Sequence, residues 1–149
     1  MQRGFTLVEV IIYIALLAFL LGSGVAASFY IVDSAEKNKS DVNAEAEAHF
    51  FLRKIEWALT DVSPGGIALP SSGNSGNVLQ TNKNIVGTLR IDSPSGRGRI
   101  NDIEITNDRV TIQNLNFDHI AAAGAKPEAI HASFTINGKT YETTRYIRK

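Results

Sequence analysis

Met1-Gln2-Arg3-Gly4-Phe5-Thr6-Leu7-Val8-Glu9-Val10 opens the chain, and an apolar run without one charged residue follows from Val10 to Val32. As a helix rising about 1.5 Å per residue, that run is roughly 35 Å long, enough to cross a hydrocarbon core of about 30 Å. One carboxylate, Glu9, stands directly before it, and one cation, Arg3, precedes the Gly4-Phe5 step. The rest of the chain is carried by this hydrophobic stalk.

Length alone allows several kinds of segment. A secretory signal peptide has an apolar region of about 7–15 residues and a small-residue cleavage site. The present run is longer, and its one small-x-small site, Val25-Ala26-Ala27, lies deep inside it. A plain single-pass anchor fits better. More specific is Gly4-Phe5-Thr6-Leu7-Val8-Glu9, which resembles the processing site of the type IV pilin family, pseudopilins of secretion systems and competence pilins included. The resemblance implies a leader of residues 1–4, cut after Gly4 by a prepilin peptidase that also methylates the new N-terminus at Phe5. Glu9 falls on the family's signature glutamate. It further implies a transmembrane and polymerisation helix over residues 5–32 and a globular domain over 33–149. The implied partners are the peptidase and N-methyltransferase, other pilin subunits, an inner-membrane assembly platform and membrane lipid. The implied location is the cytoplasmic membrane, with the globular domain outside the cytoplasm, and then a periplasmic or extracellular filament.

Elementary electrostatics gives Glu9 its weight. An ionised carboxylate costs about 2.5–3.5 kcal/mol at mid-bilayer and less near the interface. It therefore needs a partner or access to the headgroups, to which a residue near a helix end can snorkel. Cleavage after Gly4 would free an amine at Phe5 able to neutralise the Glu9 of a neighbouring subunit, and the low dielectric of a helix bundle strengthens such a pair. Within the run, Gly22 and Gly24 either let helices approach closely or soften the helix, since each glycine costs up to about 1 kcal/mol relative to alanine. Many adhesion and motility pilins have a kinking proline near the position of Ala26; here the first proline is Pro64.

From Asp33 the composition turns polar and alanine-rich, with apolar residues at Ala48, Phe51/Leu52, Ile55, Ala58/Leu59 and Val62. This stripe predicts a helix from about Phe5 to about Thr60, amphipathic in its second half, with Phe50, Phe51 and Trp57 in the core. Ser63-Pro64-Gly65-Gly66 reads as its stop and Ile67 to Asn84 as a long surface loop. Period-two alternation then predicts strands at Ile85–Asp92, Arg99–Thr106 (with a bulge near Asn101), Val110–Phe117, Ile130–Ile136 and Lys139–Ile147, the last two joined at Asn137-Gly138. The expected fold is α+β, a long helix packed on a four- to five-stranded antiparallel sheet.

The rest of the sequence narrows the function classes. Of 149 residues, 15 are basic and 15 acidic, a balance that argues against non-specific nucleic-acid binding. With no cysteine, thiolate chemistry and disulfides are excluded. His49, His119 and His131 are far apart, and no catalytic, phosphate-binding or zinc motif occurs, so the chain reads as a non-enzyme without a cofactor or bound metal. Asp108, Asn116 and Asp118 offer oxygen ligands of the kind that bind calcium in some major pseudopilins, without a supporting spacing. Arg90, Arg97 and Arg99, with Arg145, Arg148 and Lys149, would form a phosphate-binding patch only if they met in space; a charged sheet edge is the simpler reading. Two alternatives to a filament subunit stay open: a minor, tip-located pseudopilin of a secretion or competence system, and an unprocessed membrane-anchored binding module.

Overall fold

The computed structural model describes residues 6–83 and 86–147. They contain one helix, α1 (Leu7–Leu59), and nine strands: β1 (Val62–Leu69), β2 (Ser75–Gly76), β3 (Leu79–Lys83), β4 (Gly87–Asp92), β5 (Arg99–Ile100), β6 (Ile103–Glu104), β7 (Gln113–Ile120), β8 (Ala129–Ile136) and β9 (Lys139–Tyr146). Two compact units part between Ser40 and Asp41. The first unit is α1 up to Ser40. From Leu7 to Val32 its apolar side chains are exposed, among them Leu7 at 77%, Phe19 at 74% and Tyr30 at 75%. This stretch is long and apolar enough to span a membrane.

The second unit begins within α1. Ala44, Ala48, Phe51, Ile55, Ala58 and Leu59 are buried, a spacing of three and four that lays one face of the helix on the sheets. They join Leu79, Ile91, Ile112, Phe117, Ile130, Phe134 and Ile136 in one core. Phe51 meets Phe134 edge-to-face at 5.2 Å between ring centroids, and Tyr141 stacks on Phe134 at 5.8 Å. Gly98 lies directly against the Phe51 ring: a Cβ there would come within 2.5 Å of its Cε2. Polar ties hold the same helix from two sides. Asn107 donates its Nδ2–H to Glu47 Oε1 at 2.9 Å, and the Thr143 hydroxyl donates to Glu56 Oε1 at 3.0 Å.

The α+β layout is as the sequence implies, but the strands form two antiparallel sheets in place of one, ordered β1-β3-β4-β5-β6 and β2-β7-β8-β9. Several local expectations are corrected. The helix ends at Leu59, next to the expected end at about Thr60, but Ser63–Gly66 is not what stops it. Asp61 turns left-handed at φ 59°, a conformation that short polar side chains tolerate. Two of the helix's last carbonyls are then capped from β3: Lys83 Nζ donates to Trp57 O at 2.9 Å and the Thr81 hydroxyl to Ala58 O at 3.3 Å. Ser63-Pro64-Gly65-Gly66 lies inside β1, an edge strand whose pairing with β3 shifts register between Val62 and Ile67. Such an edge accommodates a residue without an N–H donor.

Ile67–Asn84 is likewise no simple loop, since it holds the end of β1 together with β2 and β3. Its organiser is His119 on β7. The His119 backbone bonds Gly73 N and Asn74 O, its buried ring pairs Nδ1 with Pro70 O at 2.7 Å, and its Nε2 meets Glu128 Oε1 at 2.5 Å. Trp57 is 44% exposed rather than in the core, with Lys83 Nζ 4.2 Å above its ring. The expected bulge at Asn101 is a two-residue hairpin turn, with Asn101 and Asp102 both at positive φ between β5 and β6. β7 carries a bulge, with Asn114 left-handed and the β7–β8 register shifted between Gln113 and Asn116. Asn137-Gly138 forms the expected tight turn, with φ of 51° and 76°.

Candidate functional site

Sequence places the site at the start of α1. Gly4 and Phe5 lie outside the described residues. From Thr6 onward the local structure follows from residue type. Thr6 precedes the first helical residue, and its hydroxyl accepts the Glu9 N–H at 3.4 Å. This is the N-terminal half of a capping box, encoded as Thr-x-x-Glu. The cap uses the Glu9 backbone, and the carboxylate points elsewhere: Tyr13, four residues on, donates its hydroxyl to Glu9 Oε1 at 3.2 Å. Helical geometry brings residues four apart to one face, so the pair is built by spacing alone.

Glu9 is half-buried, whereas every other described residue from Thr6 to Asp33 is exposed. Two apolar grooves run along the same stretch. One is lined by Val10, Tyr13, Ile14 and Leu17, the other by Leu20, Leu21, Gly24, Val25, Ser28, Phe29 and Val32. Gly24 opens the second groove: apart from the adjacent residues and the helix's own backbone, no atom lies within 4 Å of where its Cβ, or that of Gly22, would stand. Both glycines remain helical, and the Ser23 and Ser28 hydroxyls donate to the carbonyls of Leu20 and Gly24. These serines therefore add no unsatisfied polar group to the apolar surface.

In the second unit the arginines meet carboxylates. Asp92, 7% exposed at its side chain, accepts from Arg99 Nε at 3.0 Å and from Arg90 Nε at 2.9 Å. Burial raises the Asp92 carboxyl, but hydrogen bonds and charge from Arg99 and Arg90 outweigh it and hold the group below the usual aspartate range. Arg97 Nη1 donates to Glu104 Oε2 at 2.7 Å. The β4–β6 edge is thus charge-compensated, and Arg145 lies on β9, in the other sheet. Arg148 and Lys149 fall outside the described residues. Asn116 Nδ2 donates to Asp118 at 2.8 Å, and Asp118 is held below its ordinary value by bonds from Ser75 and Asn116. Among the described residues no group of three or more His, Asp or Glu is placed to hold a metal ion.

Sequence reasoning singled out Glu9 and did not anticipate the Tyr13 hydroxyl beside its carboxylate. The signal was present in the i,i+4 spacing, but a tyrosine in an apolar run reads first as lipid-facing surface. With this geometry in place, comparison with known proteins adds one finding. Residues 1–25 match the family model of the prokaryotic N-terminal methylation motif, the hallmark of type IV pilin and pseudopilin prepilins. No curated protein and no solved structure matches the chain.

Proposed function

We propose, from the premise that the chain carries the N-terminal hallmark of type IV pilin-like prepilins, that it is a structural subunit of a pilus or pseudopilus. Prepilin peptidase cuts it after Gly4 and methylates Phe5. The apolar helix holds it in the cytoplasmic membrane until an assembly platform moves it into a filament with other pilin subunits. The observation that supports this reading best is a coincidence of location. The methylation motif at residues 1–25 overlies a helical surface that is apolar and exposed from Val10 to Val32. A surface of that kind is stable only against lipid or other helices. Because lipid tails and leucine side chains are about equally apolar, moving the helix from one to the other costs little, and small residues such as Gly24 favour close helix contacts. The motif is that of structural subunits rather than enzymes.

Glu9 supplies selectivity in this scheme. Its carboxylate in apolar surroundings favours a neighbour that brings a cation, namely the methylated Phe5 amine of the next subunit. Replacing Glu9 with Ala should leave membrane insertion intact, since the apolar run is unchanged, and lower the assembled fraction at least tenfold, as expected for about 1.4 kcal/mol per contact. Membrane flotation and quantification of sheared filaments measure the two effects. Wild-type levels of filament from the Glu9→Ala chain would contradict the pairing.

A further inference from the structure

We infer that Tyr13 is a positioning residue for Glu9. Its hydroxyl holds one oxygen of the carboxylate within the apolar helix and leaves the other to the cation of an incoming subunit. The inference rests on the assembly reading above and deepens it by naming what accompanies Glu9 before a neighbour arrives.

Three observations carry it. First, the Tyr13 hydroxyl donates to Glu9 Oε1 at 3.2 Å, and Oε2 takes no part in that bond. A carboxylate has about four acceptor positions, so one phenol satisfies it only in part. At 3.2 Å the bond is longer than the usual O–H···O separation of about 2.5–3.0 Å. A loose bond of this kind steadies the group without saturating it. Second, the other hydroxyls bonded within the apolar run are spent on its own backbone, Ser23 on Leu20 O and Ser28 on Gly24 O. Tyr13 gives its hydroxyl to a side chain, and that side chain is the carboxylate at the head of the run. Third, the Tyr13 ring helps wall the apolar groove formed with Val10, Ile14 and Leu17. An apolar body with a polar tip suits this position, because the ring faces lipid or a neighbouring helix while the phenol turns to the charge.

The chemistry divides cleanly at one atom. Tyr13→Phe keeps the ring and its share of the groove and removes the donor. The test uses the full chain in two settings. In the first, the matured protein carrying 13C-carboxyl glutamate is placed in phosphatidylcholine vesicles, and the Glu9 carboxyl band is isolated by infrared difference against Glu9→Gln. We expect Tyr13→Phe to shift that band; an unshifted band overturns the inference. In the second, wild type, Tyr13→Phe, Glu9→Gln and the double variant are compared in cells that supply the peptidase and the assembly machinery. Tyr13→Phe should lower the assembled fraction about fivefold, the factor expected for one ordinary hydrogen bond. In the Glu9→Gln background it should cause no further loss. An equal loss in both backgrounds would mean that Tyr13 acts through packing, and would overturn the positioning role. If the wild-type chain itself never polymerises, the filament reading fails on its own, and the infrared band still decides whether Tyr13 holds Glu9.

Discussion

Gly98 shows how closely the second unit is fitted around one aromatic ring. A methyl group there would meet Phe51 Cε2 at 2.5 Å, Cδ2 at 2.7 Å and Ile112 Cδ1 at 3.1 Å. Phe51 has no exposed surface and cannot swing away, since it is also seated edge-on against Phe134. Overpacking a filled core typically costs about 1–3 kcal/mol. Gly98→Ala should therefore destabilise the fold by that amount, read as a lower urea midpoint with an unchanged slope for the detergent-solubilised chain. Asp92 offers a test of opposite character. Its folded value lies below the unfolded one, so its contribution to stability is present at pH well above about 3.9, the unfolded aspartate value, and is lost as pH falls through the lower folded value. Asp92→Asn should remove that share of the acid-induced loss and cost about 1 kcal/mol at neutral pH. The cost stays below the 3–5 kcal/mol of a fully buried pair because the Arg90 and Arg99 side chains are 47% and 25% exposed. Urea titrations of both chains between pH 2.5 and 7 measure it.

At the scale of elements, the C-terminus of α1 is closed from a strand. Lys83, 5% exposed, gives its ammonium to the Trp57 carbonyl and covers the Trp57 ring. Lys83→Met keeps most of the volume and removes both interactions, at an expected cost of about 1–2 kcal/mol. Circular dichroism during urea unfolding checks this. The same feature shows why β3 was illegible in the sequence. Strand calling relies on apolar residues at alternate positions, but only Leu79 is apolar among the inward set Leu79, Thr81 and Lys83. The polar ends of the other two are used on helix carbonyls that no sequence pattern announces. By contrast, β8 was legible because Ile130, Ala132, Phe134 and Ile136 alternate without interruption and Asn137-Gly138 closes the hairpin. The stripe from Ala48 to Leu59 was legible for the same reason at helical period. The Asn101-Asp102 turn read as a bulge because Ile100 is out of phase with Ile103 and Ile105; that phase change is a chain reversal, with both turn residues at positive φ. The His119 ring, bonded to Pro70 and Glu128, joins segments too distant in sequence for any local pattern to reveal.

At the scale of the whole molecule, the N-terminal motif was legible in the sequence. Ten residues with a carboxylate at Glu9 and a long uncharged run define the motif that the family comparison matches over residues 1–25. What it did not carry was the local partnership of that carboxylate, because Tyr13 becomes its neighbour only once the helix is formed. The central claim is that this chain is matured as a prepilin. Intact-mass and N-terminal peptide analysis of the protein from its own membrane tests that most directly. The expected product is a chain lacking residues 1–4 and beginning with N-methylated Phe5; an intact Met1, or a chain cut after Ala27, would contradict maturation as a prepilin.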